Sequence, residues 1–373
     1  HLHSLFAYLK NKKMNIMHLI PSLGSGGAER MLLRIAHNDL KNKHIVIIIK
    51  NIDKRSVFYK IEQNNIKLYS LDYTTLKNAY SAIRLYLNYL DMHSPDVIQT
   101  WMYHSNIMGG ILAYIKGYRN IVWNIRSAEI SYRSMKKKTI LLVFFEAFLS
   151  YFIPKKIISC SERAIQVHKN IFYCKDKFAY IPNGIQDHYI LDKKVNTNKK
   201  PVVGFVARLD SQKNHTNFLK SLEYIDHPVS FILLGRGVET INLSKYDFGK
   251  NISVTLLGEV ADVFSLYDSF DFLILPSIYG EAFPNVLMES MSRGVVCISS
   301  DVGDSFSIMS LTGYKIVDPC IPMSIANAIN SAVEDFESNH SSYQHKSNSS
   351  ISRIKSNYRL TDVIEEYNRI WLL

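Results

Sequence analysis

The sequence predicts an α/β protein with two doubly wound domains, each built on a parallel sheet. Short apolar runs rich in β-branched residues alternate with helical patterns along nearly the whole chain, in two similar sets on either side of about residue 190. Such runs, flanked by helical segments, are typical of parallel strands that are buried on both faces. Two sets within 373 residues therefore predict two domains, each large enough to bury its own core.

The predicted strands follow one another in order along the chain. Those of the first set are NIMHLI (15–20), HIVIIIK (44–50), DVIQTW (96–101), IVWNIR (121–126) and KIISCS (156–161). Those of the second set are PVVGFVA (201–207), SFILLG (230–235), ISVTLLG (252–258), DFLILP (271–276) and VVCISS (295–300). Helical patterns such as AERMLLRIAH, NHTNFLKSLEYI and VLMESMSR lie between them.

These elements set the predicted domain boundaries. The first domain spans residues 14–185 and the second spans residues 201–355, with a polar, charged linker at 186–200. The polar stretch 337–352 predicts a loop or a weak helix late in the second domain. Residues 356–373 are expected to form a helix that returns to the first domain.

The composition is that of an ordinary globular protein, with 47% hydrophobic and 21% charged residues. Its four cysteines are far apart and show no C-x-x-C or His/Cys pairing, so neither a zinc site nor a disulfide framework is indicated. A reducing cytosol is the expected compartment. The first residues, HLHSLFAYLKNKK, lack the long apolar core of a signal peptide, and Met14 is the expected natural start because a strand follows it directly.

Charge is distributed unevenly between the two halves of the chain. Residues 1–185 carry 27 Lys and Arg against 11 Asp and Glu, a net charge of +16, whereas residues 186–373 carry 17 against 22, a net charge of −5. A basic half attracts polyanions: nucleic acid, an anionic membrane surface or phosphorylated small molecules. Nucleic acid is disfavoured because the sequence has no helix-turn-helix, RNP-type aromatic strand or zinc finger. A solvated basic surface without a partner is the alternative.

A glycine-rich turn, GSGGAE (24–29), follows the first predicted strand. Gly24 and Gly26 match the start of G-x-G-x-x-G, but Glu29 stands at the third glycine position, and the second strand ends in Lys50 rather than in an acid. A nicotinamide dinucleotide site is therefore disfavoured. The turn exposes backbone N–H groups at a helix start, where a phosphate or a sugar can approach; a tight turn without a ligand is the alternative.

Two cations mark the start of the second half. Arg208 follows the strand PVVGFVA, and Lys213 lies five residues later in the next loop. Ligands of open α/β sheets bind outside the carboxyl ends of the strands. Two cations there can neutralise a diphosphate and stabilise its charge as it leaves. The glycines of LLGRG (233–237), at another strand end, allow the close approach of a base or a ribose.

Two carboxylates follow in GEAFPNVLME (280–289). Pro284 predicts the start of a helix, which puts Glu281 in the loop before the helix and Glu289 about one turn inside it. Each carboxylate offers two acceptor oxygens to paired hydroxyl groups. The spacing therefore favours a ligand rich in hydroxyls, although acids are common enough in this chain for chance to be the alternative.

Together these segments resemble the retaining nucleotide-sugar glycosyltransferases of family four, which have the GT-B architecture of two Rossmann-like domains facing a cleft. The resemblance covers nearly the whole chain from Met14. It is carried by GSGGAE, WMYHSNIMGG (101–110), WNIRSAE (123–129), IPNGI (181–185), ARLDSQKNH (207–215), LLGEVADV (256–263), LPSIYGEAFPNVLMES and SSDVGDS (299–305). The likeness is greatest to bacterial enzymes that build capsule, O-antigen or exopolysaccharide chains. It implies the transfer of a hexosyl or N-acetylhexosaminyl group from a nucleotide-diphosphate sugar to a glycan acceptor, with a lipid-linked acceptor favoured.

The resemblance also implies roles for individual residues. By this likeness Glu281 contacts hydroxyls of the donor sugar, and Glu289 accepts hydrogen bonds from the ribose. Arg208 and Lys213 match the diphosphate-binding cations, and His104 matches a histidine beside the donor sugar. The donor-binding residues implied are Gly26, Gly27, Arg208, Lys213, Gly235, Glu281, Ala282, Phe283, Asn285, Val286 and Glu289. The acceptor-side residues implied are Gly27, His104 and Arg126, and the catalytic ones are His104, Glu281, Arg208 and Lys213.

The sequence departs from the family pattern at two places. Ala282 stands where glycine is commoner, and GVV (294–296) replaces the usual GVP. Ala282 is expected to tighten the sugar pocket. Neither change removes a charged group.

The absence of a D-x-D triplet from the sequence predicts an enzyme that needs no metal or other cofactor. Helix dipoles, Arg208 and Lys213 would take over the role of the metal, and the donor would be a UDP- or GDP-sugar, with UDP favoured. Retention proceeds either through a covalent carboxylate intermediate or by attack from the leaving-group face. The resemblance favours the second route, with Glu281 positioning the sugar and an α-configured product. A nucleotide-sugar 2-epimerase and a non-catalytic glycosyltransferase-like partner subunit are the alternatives.

One apolar stretch bears on the membrane. YRSMKKKTILLVFFEAFLSYFIPKKII (132–158) places a 15-residue apolar run between lysine clusters. The run is shorter than the roughly 20 residues that a spanning helix needs, so a packed helix is the first interpretation. Five lysines can still lie at anionic headgroups if one stripe of the helix packs on the core: Lys136, Lys137, Lys138, Lys155 and Lys156. The prediction is a cytoplasmic enzyme attached peripherally to the inner face of the cell membrane, with no nucleic-acid partner.

Overall fold

The computed structural model describes residues 13–24, 26–51, 65–131, 135–192 and 200–373, and they divide into two units. The first unit comprises His1–Gly184 together with Leu360–Leu373, and the second comprises Ile185–Arg359. Each is an α/β unit with a parallel sheet, as the sequence predicts.

The sheet of the first unit contains seven parallel strands in the described residues, in the order β3-β2-β1-β4-β5-β6-β7. The strands are β1 Asn15–Ile20, β2 Lys43–Ile48, β3 Ile66–Ser70, β4 Val97–Trp101, β5 Ile121–Ile125, β6 Lys156–Ser159 and β7 Phe178–Tyr180. The helices described in this unit are α1 Gly27–Asn38, α2 Ala79–His93, α3 Met102–Ile115, α4 Lys137–Leu149, α5 Glu162–Asn170 and the C-terminal α12 Leu360–Trp371.

Both faces of this sheet are buried, and strand β1 shows how the sequence achieves it. Ile16 and Ile20 point into a core that includes α1 and the C-terminal helix α12. Met17 and Leu19 point into the core on the opposite face. Because side chains alternate along a strand, a continuous apolar run can cover both faces of a central parallel strand.

In its described residues the second unit has six parallel strands, in the order β10-β9-β8-β11-β12-β13. The strands are β8 Val202–Val206, β9 Val229–Leu234, β10 Ile252–Leu257, β11 Phe272–Leu275, β12 Val296–Ser300 and β13 Tyr314–Ile316. The helices are α6 His215–Ser221, α7 Val263–Tyr267, α8 Asn285–Met291, α9 Ser305–Met309, α10 Pro322–Ser338 and α11 His340–Asn357.

Part of the segment predicted as a linker packs on the second unit. Residues Asp187–Tyr189 form a 3₁₀ turn, and the Tyr189 ring stacks on Phe264 with ring centroids 3.8 Å apart. Arg359 also donates to the Asp187 carboxylate, at 2.6 Å for Nη2 and Oδ2. Residues 193–199 of the predicted linker lie outside the described residues.

Within the described part of the chain, no helix combines the length and the apolar character needed to span a bilayer.

Candidate active site

In both sheets the strand order reverses beside the first strand of the unit, because β1 lies between β2 and β4 and β8 lies between β9 and β11. Ligands of doubly wound folds bind at this switch point, outside the carboxyl ends of the strands. In the second unit the two loops at this point follow β8 and β11. These loops carry Arg208 and Lys213 on one side and Glu281 on the other.

Lys213 and Glu281 form an ion pair across the switch point of the second unit. Both side chains are mostly buried, with 16% of Lys213 and 11% of Glu281 exposed. Ser277 Oγ donates to the same Glu281 Oε1 at 3.0 Å. A cation and a carboxylate that are 68 residues apart in sequence are thus held together at the sheet edge.

The turn that carries Lys213 is fixed by its neighbours. Asp210 caps the 3₁₀ turn Ser211–Lys213 by accepting from the Gln212 N–H at 3.1 Å. Asn214 adopts the left-handed conformation, with φ of 65°, and its Nδ2 donates to the carbonyls of Pro276 and Pro319. Asparagine tolerates left-handed backbone better than most non-glycine residues, and hydrogen bonds from its side chain can hold that conformation in place. The side chain of Asn214 provides those contacts, which ties the lysine loop to the end of β11.

Arg208 lies closer to solvent than Lys213. Half of its side chain is exposed, and its Nε lies 3.2 Å from Asp210 Oδ2. Burial alone would raise the pKa of Asp210, but the hydrogen bonds from Gln212 N–H and Arg208 outweigh it and lower that pKa. The Asp210 carboxylate is therefore charged at neutral pH; it orients Arg208 by direct contact and caps the turn that carries Lys213.

Two glycines let neighbouring loops approach this site. At Gly235, φ is +138° and a Cβ would overlap the Ala207 carbonyl oxygen, directly before Arg208. At Gly303, φ is +53° and a Cβ would overlap the backbone of Glu281 and Ala282. Only glycine fits such positions without strain.

The segment after Glu281 is packed rather than open. Ala282 and Phe283 are buried, and the Asp304 N–H donates to the Ala282 carbonyl at 2.9 Å. The Phe283 ring meets the Tyr358 ring edge-on at 5.6 Å.

Helix α8, Asn285–Met291, begins directly after Pro284, which puts Glu289 about one turn inside the helix. Asn285 and Val286 are half-buried on its first turn. Glu289 is only 3% exposed, and the Tyr267 hydroxyl donates to its Oε2 at 3.3 Å.

The sequence interpretation did not single out His215, which follows Lys213 and Asn214. Its ring is buried and stacks on Phe205, with centroids 4.3 Å apart. Burial, followed by the charge of Lys213, lowers the pKa of His215 to about 4, so the ring is neutral and adds no charge beside Lys213. Ser277, Asp210 and Asn214 were also missed, because their roles arise from contacts across the loops rather than from a spacing in the sequence.

The switch point of the first unit lies between β1 and β4, and residues predicted for the site follow each strand. His104 is on the first turn of α3, directly after β4. Met102, at the junction, has φ of 68°, which is a strained backbone for a non-glycine residue. Desolvation, followed by the charge of Lys50, lowers the pKa of His104, although the residue as a whole remains exposed.

Gly26 and Gly27 follow β1, with Gly26 capping helix α1 and Gly27 opening it. The Glu29 carboxylate folds back over this turn, since a Cβ at Gly26 would overlap Glu29 Oε2. A negative carboxylate at a helix N-terminus is stabilising by itself. Any anion that binds at this turn must therefore displace or face Glu29.

Arg126, predicted on the acceptor side, is held by side chains of its own unit. Its guanidinium donates to Asn124, Asn183 and the Tyr367 hydroxyl, and it lies 4.8 Å from the centre of the Trp101 ring. These contacts tie the end of β5 to the C-terminal helix α12.

In the described residues no three His, Cys, Asp or Glu side chains are grouped so that they could hold a metal ion.

Comparison with known proteins agrees with this architecture. The family described as Glycosyltransferase Family 4 matches residues 25–189, and the one described as Glycosyl transferases group 1 matches residues 189–347. A Campylobacter jejuni protein is 28% identical over 298 residues, which is 77% of this chain and 79% of that protein. It is named GalNAc-α-(1→4)-GalNAc-α-(1→3)-diNAcBac-PP-undecaprenol α-1,4-N-acetyl-D-galactosaminyltransferase.

Solved structures show the same fold. Alr3699/HepE of Anabaena, solved in complex with UDP and glucose, has a TM-score of 0.78 at 16% identity, over 95% of this chain and 98% of that chain. The lipopolysaccharide outer core galactosyltransferase WaaB, in its apo form, has a TM-score of 0.71 at 15% identity, over 96% and 99% of the two chains.

Two parallel-sheet units and these matches define a glycosyltransferase of the GT-B fold. The chain belongs to glycosyltransferase family 4, as its motifs predict, and it moves a sugar to a glycan acceptor.

Proposed function

We propose that this enzyme is a retaining, metal-independent glycosyltransferase that uses a UDP- or GDP-sugar, with UDP favoured, and elongates a lipid-linked glycan of a surface polysaccharide such as O-antigen. One observation carries the proposal: the Lys213–Glu281 pair at the switch point of the second unit, with Arg208 on the same loop as Lys213. Two comparisons support it. The Anabaena structure contains UDP and glucose, and the name of the Campylobacter relative describes an undecaprenol-linked acceptor.

In this proposal the two cations bind the donor diphosphate. As the bond between the sugar C1 and the β-phosphate oxygen breaks, negative charge grows on that oxygen. Preorganised cations in a largely buried site stabilise such charge at little reorganisation cost. Lys213, held in place by Glu281, is the mostly buried cation, and Arg208 is the accessible one.

Glu281 would position the donor sugar rather than attack it. One of its oxygens already accepts from Lys213 and Ser277, which fixes the orientation of the carboxylate. The other oxygen has acceptor capacity for sugar hydroxyls. Glu289, deep in α8, would accept from the ribose, and this assignment requires α8 or the Tyr267 contact to adjust because Glu289 is nearly fully buried.

Retention in this proposal follows from attack on the leaving-group face. The acceptor hydroxyl oxygen bonds to C1 from the side on which the C1–phosphate bond breaks. Its proton passes to the departing phosphate oxygen, so no enzyme nucleophile and no metal ion take part. An α-linked nucleotide sugar would then give an α-linked product. His104 would lie beside the donor sugar, and Arg126 and Gly27 would belong to the acceptor side.

Attachment to the inner face of the cytoplasmic membrane is part of the same proposal, because a polyprenyl-linked acceptor is confined to a bilayer. The first half of the chain carries a net charge of +16, and its lysine clusters near 136–138 and 155–156 suit anionic headgroups. No nucleic-acid partner is proposed.

The test is a donor and acceptor panel with purified enzyme. Release of nucleoside diphosphate is measured for UDP- and GDP-sugars, with and without an oligosaccharide linked to undecaprenyl diphosphate, and the anomeric configuration of the product is determined by NMR. We expect release that depends on the acceptor, and an α-linked product. Interconversion of nucleotide sugars without an acceptor would identify a 2-epimerase instead. Inactivity with every pair, unless a second protein is added, would identify a partner subunit.

A further inference from the structure

One side of helix α4 and the turn after it expose a continuous row of large apolar side chains. Within the helix these are spaced at i, i+3, i+4 and i+7, so they lie on one stripe. We call the row the aromatic stripe; its members are Leu141, Phe144, Phe145, Phe148, Tyr151 and Phe152. Leu141 is 76% exposed and Phe148 is 62% exposed. The Phe148 and Phe152 rings are in contact, with centroids 5.4 Å apart.

The opposite side of the same helix holds it to the first unit. Val143, Glu146 and Ala147 are buried there. Glu146 Oε1 accepts from Asn106 Nδ2 of helix α3 at 2.9 Å. The helix is therefore apolar on both sides, but only one side contributes to the core of the unit, and its orientation is fixed by a buried polar contact.

Single exposed apolar residues are ordinary on protein surfaces, whereas a contiguous exposed row of this size marks an interaction site. The first unit offers the comparison: Leu40, Tyr80, Met92 and Ile115 are each at least 66% exposed. Leu40 follows α1, Tyr80 and Met92 lie at opposite ends of α2, and Ile115 ends α3, so these four residues are widely spaced along the chain. The aromatic stripe, by contrast, gathers six residues within twelve positions.

Charge at both ends of the stripe indicates what covers it. Lys136, Lys137 and Lys138 are exposed at the start of α4, and Lys155 is exposed after the turn. An apolar face bounded by lysines fits the boundary of an anionic bilayer, with rings among the acyl chains and ammonium groups at the phosphates. An apolar protein surface would leave these lysines without counter-charge.

We propose that the aromatic stripe inserts into the interface of an anionic bilayer, while Glu146 and its neighbours keep α4 docked on the first unit. This inference rests on the proposed membrane attachment and adds the residues that enter the lipid. It also changes the expected salt response. Headgroup contacts weaken with salt, whereas buried apolar area does not, so part of the binding persists at high salt.

The first experiment is co-sedimentation with vesicles of phosphatidylcholine, with and without phosphatidylglycerol, at low and high salt. The stripe variant carries Leu141→Gln, Phe144→Gln, Phe148→Gln and Phe152→Gln, and the lysine variant carries Gln at Lys136, Lys137, Lys138 and Lys155. The matched control carries Leu40→Gln, Tyr80→Gln, Met92→Gln and Ile115→Gln, four exposed apolar residues of the same unit outside the stripe.

The wild type and the matched control are expected to bind phosphatidylglycerol vesicles and to keep part of that binding at high salt. The stripe variant should lose about tenfold or more in partition coefficient at both salt concentrations. The lysine variant should lose mainly the dependence on phosphatidylglycerol. A stripe variant that pellets as well as the wild type, or a wild type that stays in the supernatant at low salt, overturns the proposal.

The second experiment measures directly whether the aromatic stripe enters the bilayer. The three native tryptophans, Trp101, Trp123 and Trp371, are all buried in the first unit. A Phe148→Trp substitution therefore adds the one exposed indole. On vesicles its emission should shift to the blue and be quenched by brominated lipids, while the wild type should show neither change. Emission that stays unquenched overturns insertion even if the protein pellets.

Two further measurements separate insertion into lipid from self-association and from a loss of catalysis. If the stripe instead joins two copies of the chain, the wild type is a dimer by light scattering and the stripe variant is a monomer, which overturns the lipid assignment. Transfer to a short-chain, water-soluble acceptor needs no bilayer. The stripe variant should retain that activity, so loss of vesicle binding with intact transfer supports the stripe, whereas inactivity of the wild type contradicts the proposed function alone.

Discussion

His18 and His44 hydrogen-bond to each other inside the first unit, with His18 Nε2 and His44 Nδ1 2.9 Å apart and both residues almost fully buried. Trp101 Nε1 lies 3.2 Å from His18 Nδ1 and can only donate, so Nδ1 accepts and Nε2 carries the hydrogen. His44 Nε2 then donates to Asp39 Oδ2 at 3.2 Å. Each donor in this series of hydrogen bonds has an acceptor when both imidazoles are neutral and the Asp39 carboxylate is ionised.

The pH dependence of stability follows from this arrangement. Burial, followed by the neighbouring His44, lowers the pKa of His18 well below 6.5. The unfolded chain therefore takes up a proton at His18 as the pH falls below 6.5, while the folded state resists it. The free energy of unfolding is therefore at its full value, as far as His18 is concerned, above pH 6.5. It decreases as the pH falls, by about 2 kcal/mol at pH 5.

Urea unfolding followed by tryptophan fluorescence measures this effect, because all three tryptophans belong to the first unit. His18→Gln should unfold more easily at neutral pH but show a flatter decline between pH 7 and 5. His37→Gln, at a half-buried histidine on α1, should keep the wild-type slope. Equal slopes for His18→Gln and the wild type would contradict the neutral-pair interpretation.

Glu146 should have the opposite dependence on pH. Burial raises the pKa of its carboxyl group to about 8. The folded state thus holds a proton that the unfolded chain releases near pH 4.5, so stability falls as the pH rises from about 4.5 through 8, by about 3–5 kcal/mol in total.

Glu146→Gln mimics the protonated acid and keeps a carbonyl oxygen for Asn106. We expect it to match the wild type at pH 5 and to be the more stable protein at pH 9 by the same tryptophan assay. A variant that is less stable than the wild type at pH 9 would show that the ionised carboxylate stabilises the folded state.

Replacement of the loop cations should slow transfer without unfolding the enzyme. Lys213→Ala should reduce kcat/KM for the donor by about 2–4 kcal/mol of transition-state stabilisation, and Arg208→Ala should lie nearer the lower end because half of Arg208 is exposed. Steady-state kinetics check this, with Lys220→Ala, on the exposed side of α6, as the matched control. Rates within threefold of the wild type for a folded Lys213→Ala would refute its role.

The ion pair itself makes a separate prediction. Glu281 neutralises Lys213, so a bound diphosphate competes with Glu281 for the ammonium group. Glu281→Gln should therefore bind the free nucleoside diphosphate more tightly, by about 1 kcal/mol, yet turn over the sugar donor more slowly. Calorimetry with UDP and steady-state rates together test it. Unchanged UDP binding together with unchanged turnover would place Glu281 outside the donor site.

Chelation tests the proposed metal independence. In the proposed mechanism Arg208 and Lys213 supply the positive charge that a bound cation supplies elsewhere, so EDTA should leave transfer unchanged. Inhibition by EDTA that magnesium or manganese reverses would require a different mechanism.

Central strands could be predicted from the sequence because burial on both faces leaves an uninterrupted apolar run. Three of the four edge strands in the described residues could not: β3, β7 and β13 are short and only partly buried, so each lacks such a run. The edge strand β10 was predicted because its sequence, ISVTLL, is mostly apolar. Helix α11 was also uncertain, since its Ser- and Asn-rich sequence favours a loop. Its small serines fit a tight contact instead, as Ser347 shows by donating to the Gly294 carbonyl at 2.6 Å.

The candidate site was only partly predictable for a related reason. Motifs identified Lys213 and Glu281 separately, but their contact depends on β8 and β11 becoming neighbours in the sheet. The same strand pairing brings Ser277 to Glu281 and lets the Asn214 side chain reach the Pro276 carbonyl. The engagement of Arg126 by Tyr367 requires the C-terminal helix to lie beside β5, which no local pattern specifies.

The return of helix α12 to the first unit sets the order in which the chain can mature on the ribosome. Trp371 contacts both His18 and His44 edge-on, and its Nε1 donates to Gln99 at 2.6 Å. Until Leu360–Leu373 emerge, the nascent first unit lacks one wall of its core, while the second unit, Ile185–Arg359, has already been translated. Most of the first unit is translated before the second unit, yet its core is completed later, so we expect the first unit to finish folding last and to expose apolar surface for longer during synthesis.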